Sequence, residues 1–139
     1  MGLFDALDAS GSALSAERLR MDVTAENLAN AQSTRSANGT GPYKRKEVVL
    51  EQAGSTFADS LQAARGVRVA GIVEDSTPPR RVYDPGHPDA DAQAYVTMPN
   101  VNTVTEMTDL IGASRAYEAN VTAMQTAKSM FARTLDLLK

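Results

Sequence analysis

The chain has 139 residues, 42% of them hydrophobic and 5% aromatic, with no cysteine and a single histidine, His87. That length suits one ordinary domain and excludes a large multidomain enzyme, while the missing thiols exclude disulfides, thiolate metal sites and a cysteine nucleophile. Seventeen acids against fourteen bases give a net charge of -3, the wrong sign for a protein that must neutralise phosphates, so no nucleic-acid partner is expected.

No run approaches the ~18 consecutive apolar residues that cross a bilayer, so direct membrane insertion is not expected. The first residues, Met1-Gly2-Leu3-Phe4-Asp5-Ala6-Leu7-Asp8, carry acids where a secretory signal carries a basic stretch and an unbroken apolar core. Any export is therefore expected to proceed without a cleaved signal of that kind. Ala6 also stands where the myristoylation pattern requires serine or threonine.

From residue 3 to about residue 30 no proline interrupts the chain, and Leu7, Leu14, Met21 and Leu28 recur every seven residues with Leu3 one turn before them. This spacing predicts one long helix with an apolar stripe. Ala6, Ala9, Ala13, Ala16, Ala25 and Ala29 flank the stripe, keeping helix propensity high and admitting another helix at close range. Gly11 is its weak point, costing about 1 kcal/mol against alanine.

Residues 33–100 hold all six prolines and six of the nine glycines. Short runs rich in β-branched and aromatic residues lie between these breakers, at Tyr43 to Leu50, Val67 to Val73, Arg81 to Tyr83 and Tyr95 to Met98. They predict three or four short strands arranged as hairpins in a small insert; Phe57 to Ala64 could add a helical turn or two. Asp84, His87, Asp89 and Asp91 offer oxygen and imidazole donors, yet the prolines among them favour a stiff polar contact loop over a metal site. The run Lys44-Arg45-Lys46, with Arg35, reads as a solvated strand edge, an anion-attracting patch, or an interface with an acidic neighbouring subunit, the last being preferred. One histidine in a proline-bounded loop supports no catalytic triad, so no catalytic residue, cofactor or metal is expected and the chain does not read as an enzyme.

The C-terminal segment repeats again at seven. Leu110, Tyr117, Met124, Phe131 and Leu138 form one row, and Met107, Ser114, Val121, Lys128 and Leu135 form another. The pattern predicts a helix from about Val104 to Leu138 with a seam close to that of a coiled coil. Thr103 and Glu106 have the spacing of a capping box at its entrance. Ser114 and Lys128 read as packing tolerances, with Lys128 burying its stem and keeping its ammonium wet. At 1.5 Å per residue this helix spans ~52 Å and the first ~42 Å, against a diameter of ~37 Å for a compact domain of this length. The long helix therefore protrudes while its apolar rows continue, and one antiparallel partner covers only one side of it. Five large side chains in one row would each gain ~1.5–3 kcal/mol on burial, which outweighs surface ion pairs at ~0–1 kcal/mol. Other chains are expected to complete the cover, and the termini of an isolated monomer are expected to fray.

Four stretches carry a resemblance. Ala13-Leu14-Ser15-Ala16-Glu17-Arg18-Leu19-Arg20-Met21-Asp22-Val23-Thr24-Ala25-Glu26-Asn27-Leu28-Ala29-Asn30-Ala31 is similar to the signature of bacterial flagellar axial proteins. Gly41-Pro42-Tyr43-Lys44-Arg45-Lys46, the run from Pro78 to Asp91, and Pro99-Asn100-Val101-Asn102 through to Asn120 resemble the proximal rod type among them. The chain departs from many relatives in running Ser33-Thr34-Arg35 into a longer loop before Tyr43. The resemblance implies a structural subunit of the periplasmic rod, exported unfolded through the flagellar type III apparatus. Such subunits stack helically with copies of themselves and with other rod subunits, terminal helices inward and β-rich insert outward. It also favours a register role for Asn27, while Asn30 divides evenly between register and helix capping.

The expected fold is therefore elongated α+β: N- and C-terminal helices packed as a coiled-coil-like pair, with a β-hairpin-rich insert between them. The expected units are 1–33, 34–100 and 101–139. The expected assembly interface comprises Leu7, Leu14, Met21, Asn27, Leu28, Asn30, Leu110, Tyr117, Val121, Met124, Phe131, Leu135 and Leu138. The rival readings are another axial subunit of the same family, or a soluble helical binding module with similar amphipathic ends.

Overall fold

The computed structural model describes residues 3–36, 41–54 and 66–136. Helix α1 runs Leu3–Ala29, strands β1 Lys46–Gln52 and β2 Val67–Glu74 follow, then β3 Arg80–Tyr83 and β4 Tyr95–Met98, and helix α2 Thr103–Asp136 closes the chain. The fold is the α+β arrangement expected, and both helices begin and end close to where periodicity places them. The four strands do not share one sheet. They form two antiparallel ribbons, β1 with β2 and β3 with β4. The possible helical turn at Phe57 to Ala64, and Leu138, lie outside the described residues.

Strand β1 starts at Lys46 and not at Tyr43, because the backbone before it is already committed elsewhere. The Tyr43 amide donates to the Ser33 carbonyl and the Arg45 amide donates to Asn100 Oδ1, so only the Arg45 carbonyl, accepting from the Asp75 amide, carries the ladder one step further. A bulge between Val49 and Leu50 leaves Ala70 opposite no partner residue, which strengthens the local twist of the ribbon.

Gly11 faces Met124, whose Cε would lie 3.8 Å from a Cβ built there, while Asn27 bonds Glu106. Rising numbers on α1 therefore meet falling numbers on α2, and the helices are antiparallel. Their contact is not the pair of rows that apolarity alone picks out. On α2 the deepest row is Glu106, Ala113 and Ala127, all buried, with Asn120 half-buried between them; Leu110, Tyr117 and Met124 flank that row half-buried. Of the second expected row, Met107, Lys128 and Leu135 are exposed. Small and polar side chains line the centre because two helix backbones approach closely only where little bulk intervenes, and the large side chains then wrap the flanks.

Helix α1 uses a second face as well. Ser12, Ala16, Val23 and Asn27 share one side of it by their spacing of four and seven. Ser12 Oγ accepts from the Val67 amide at 3.0 Å and Asn27 bonds Lys46, so this side lies under the first ribbon, with Ala16 and Val23 buried. The lengths agree: the rise along α1 from Ser12 to Asn27 is ~22 Å, and the strand from Lys46 to Gln52 covers ~20 Å.

The entrance of α2 corrects the capping box. Asn102, not Thr103, caps the helix, its Oδ1 accepting from the Val104 and Thr105 amides at 3.0 and 3.5 Å. Glu106 does not reach back to the cap, because its carboxylate is buried and engaged across the bundle.

A Cβ on Gly66 would sit 2.2 Å from Ser12 Oγ and 3.0 Å from Ser12 Cβ, and Ser12 cannot swing away without abandoning the Val67 amide. Gly66→Ala is expected to lower stability in urea unfolding by ~1–3 kcal/mol. Gly112 lies inside α2 with open space around it, so Gly112→Ala is expected to raise stability by up to ~1 kcal/mol.

Candidate functional site

The polar centre of the molecule is Asn27, 1% exposed, together with Glu106, also 1% exposed. Asn27 Nδ2 donates to the Lys46 carbonyl at 2.8 Å and to Glu106 Oε2 at 3.0 Å. Its Oδ1 accepts from the Tyr43 hydroxyl at 2.8 Å and from the Lys46 amide at 2.9 Å. Both donors and both acceptor positions of the amide are thus filled. Arg45 Nε donates to Glu106 Oε1 at 2.6 Å, giving the buried carboxylate the cation it needs. Asn27 therefore joins α1, the strand lead-in and α2 at one point.

Electrostatics around this point are closed on themselves. Arg45 lies within 4 Å of Glu47, Asp75, Glu106 and Asp109, and its hydrogen bond to Glu106 pushes its pKa up. Burial, helped by Glu26, Glu106 and Glu74, pushes the Tyr43 phenol up to about 12. It stays protonated at neutral pH and serves as a donor. A cleft of about 300 Å³ opens beside the node, with Arg20, Thr24, Asn27, Arg45 and Glu106 in its wall. Its carboxylate is neutralised and its amide saturated, so the arrangement holds structure together and presents no nucleophile or proton-transfer pair.

The basic run is paired within the chain: Lys44 with Glu74, Lys46 with Glu26, Arg45 as above, and Arg35 with Asp89. The acidic partners of this run within the described residues thus lie in the same chain. The acid-rich loop is also turned inward on itself. Asp84 accepts the Gly86 amide, His87 Nδ1 accepts the Asp89 amide, Asp89 accepts Thr34 and Arg35, and Asp91 accepts the Gln93 and Tyr95 amides and pairs with Arg81. The Arg35 bond, aided by Thr34, holds the Asp89 carboxyl below its ordinary range, and the Tyr95 and Gln93 amides with Arg81 do the same for Asp91. No group of three or more potential ligands is placed to hold a metal ion among the described residues.

The residues named from sequence as an interface fall into distinct places. Leu7, Leu14, Met21, Leu28, Leu110, Tyr117, Val121 and Met124 are half-buried along the helix pair. Phe131 and Leu135 remain 38% and 48% exposed, because the antiparallel register brings Leu3 to about the level of Phe131 and α2 runs on beyond it. Leu138 lies outside the described residues. Asn30 caps: its Nδ2 donates to the Glu26 carbonyl at 2.9 Å and its Oδ1 accepts Ser33 Oγ. Of a second apolar surface the heptad rows hold only Met107, and leave out Val104 and Ile111. Val104, Met107 and Ile111, at spacings of three and four, lie opposite the Glu106 to Ala127 row, and Val104 is 71% exposed. The i, i+3, i+7 spacing was its signal in the sequence.

These features define an elongated structural subunit whose chemistry is packing. Residues 7–35 match the family described as flagella basal body rod protein, and residues 92–137 match the flagellar basal body rod FlgEFG protein C-terminal family. The chain is 47% identical to the flagellar basal-body rod protein FlgC of Yersinia enterocolitica, covering 99% of this chain and 98% of that protein. It is 44% identical to FlgC of Bacillus subtilis over the whole of both, and 45% identical to FlgC of Salmonella typhimurium, covering 99% of this chain and 98% of that protein. The chain belongs to the FlgC family of flagellar basal-body rod proteins, a structural and not an enzymatic family.

Asn27→Ala strands the Tyr43 hydroxyl, the Lys46 amide and one oxygen of a buried carboxylate, and is expected to cost ~2–4 kcal/mol in urea unfolding. The raised Tyr43 pKa fixes the sign of an alkaline effect. The unfolded phenol loses its proton near pH 10 and the folded one near 12, so the stabilisation is complete below 10 and is lost as pH rises toward 12. The melting temperature of wild type is expected to fall more steeply across that window than that of Tyr43→Phe.

Proposed function

We propose that this chain is a subunit of the flagellar proximal rod, polymerising helically through its terminal helices with copies of itself and with other rod subunits to form part of the periplasmic drive shaft. The observation that carries the reading is the uncovered apolar surface of α2. Val104, Met107 and Ile111 face away from the bundle, and Leu135 extends past the start of α1. An isolated chain leaves this surface in water, and a helical neighbour removes it from water at ~25 cal/mol per Å².

The interface then comprises the half-buried rows at Leu7, Leu14, Met21, Leu28, Leu110, Tyr117, Val121 and Met124, the tail at Phe131, Leu135 and Leu138, and Asn27 and Asn30 acting indirectly by fixing helix geometry. Units 1–33 and 101–139 form the inner part and 34–100 the outer insert. Torque passes through interdigitated side chains that resist sliding, so no reaction site is needed. The chain reaches the rod through the flagellar type III export apparatus, a partner inferred from the resemblance of its terminal segments to axial proteins.

Stoichiometric recovery of the tagged chain in purified basal bodies tests the reading, and its absence from them, with a free cytoplasmic pool, would reject it. Met107→Glu and Ile111→Glu change exposed side chains and are expected to leave monomer melting within about 0.5 kcal/mol of wild type. Both are expected to reduce recovery in basal bodies and to impair swimming. Normal incorporation of both variants would remove this surface from the interface.

A further inference from the structure

The second ribbon is fastened to the rest of the molecule at few points. Strands β3 and β4 pair only with each other, and among the described residues no Cα of either strand comes within 8 Å of one in a helix or in the first ribbon. Both ends of the ribbon pass through proline, Pro78 and Pro79 before β3 and Pro99 after β4. Proline has no N–H with which to extend a ladder, so a turn of the ribbon about its base breaks no hydrogen bond donated by these residues. The chain just outside the prolines is held: the Asp75 amide donates to the Arg45 carbonyl, and Asn100 Oδ1 accepts the Arg45 amide. A cleft of about 480 Å³ lies at the base, with Ala31, Gln32, Pro78, Arg80 and Pro99 in its wall, and it leaves the base room to turn.

The ribbon is kept down by its inner face and its tip. Val96 on β4 is completely buried. At the tip, Asp89 reaches the turn after α1: Thr34 Oγ1 donates to its Oδ2 at 2.7 Å, and Arg35 Nε donates to its Oδ1 at 2.8 Å. The loop that carries Asp89 is internally bonded, with the Asp84 amide on the Ala94 carbonyl and the Ala90 amide on the His87 carbonyl, so it moves as one piece with the strands. The turn that receives it is fixed as well, since the Ser33 carbonyl holds the Tyr43 amide and the Tyr43 hydroxyl bonds Asn27. We propose that the β3–β4 ribbon is a hinged arm, latched at its tip by Asp89 on Thr34 and Arg35, and that releasing the latch lifts the arm at its prolines while the helix pair and the first ribbon stay folded. The Arg35 side chain is 76% exposed, so its ion pair is open to screening by salt. Such a hinge gives one fold two settings of its insert, and nothing in the inference depends on the rod reading.

The chain has no cysteine, so a single introduced thiol reports its own exposure. Val96→Cys places that thiol under the arm, and Ala113→Cys places it in the buried row of α2; alkylation by iodoacetamide is followed at one fixed pH in each. Adding Asp89→Ala removes hydrogen bonds to a charged group and is expected to speed alkylation at position 96 about fivefold or more, leaving position 113 unchanged because the opening is local. Arg35→Met, a change at an exposed side chain, and ~1 M sodium chloride are expected to give smaller accelerations at position 96 alone. Equal acceleration at both positions overturns the proposal, because the opening is then global, and so does an unchanged rate at position 96. If Asp89→Ala does not fold, Arg35→Met and the salt series decide by the same two readings.

Discussion

The bond from Asn27 to Glu106 is the constraint on which the rest of the structure depends. A carboxylate buried between helices is tolerated only when its charge is balanced and its oxygens are bonded, and Glu106 meets both conditions through Arg45 and Asn27. Arg45 and Lys46 belong to the chain entering β1, so satisfying Glu106 also places the first ribbon. The Asn27 amide then binds the Lys46 backbone in both directions. A slip of α1 by one turn would leave several buried groups unpaired at once, which makes the register of helix, ribbon and helix a single decision.

Anchoring at one end lets the remainder be built from small parts. Ser12 repeats the logic about four turns away, accepting the Val67 amide, so the ribbon is tied to α1 at both ends of its length. Between the ties the packing needs little bulk: Ala16 and Val23 lie under the ribbon, and Ala113 and Ala127 lie along α2. Larger side chains are pushed to the flanks, where they are only half covered. The bundle is thus specified by hydrogen bonds at its head and by close backbone approach along its length, and much of its apolar surface is left to face outward.

Period and breakers made the two helices and four strands legible in the sequence, because leucines at seven-residue spacing and prolines between β-rich runs are local signals. The inner rows were not legible from the same rule. Ser12, Ala16, Asn27 and Glu106 carry the inter-element contacts, and none is a large apolar residue, so a search for oily stripes passes over them and favours Met107 and Leu135, which are exposed. Asn27 could be suspected only through its resemblance to a family signature. The cap at Asn102 was missed because Thr103 and Glu106 satisfy the spacing of a capping box, while the tertiary demand of Arg45 on Glu106 takes precedence over the local bond. The ion pairs of the basic run were hidden for a related reason: the acidic partners Glu26, Glu74, Glu106 and Asp89 lie between 20 and 61 residues away, and no local pattern reveals such pairs.

Internal pairing of charge bears directly on how a subunit of this kind can stack. Once the Lys44 to Lys46 run and Arg35 are consumed inside the chain, random electrostatic attraction between copies is weak, and screening at physiological salt weakens it further. The adhesive part of the surface is then apolar, on α2, and an apolar stripe has little power to fix direction because burial is gained in many orientations. Direction has to come from a few polar groups that lack partners within the chain and are held in rigid settings.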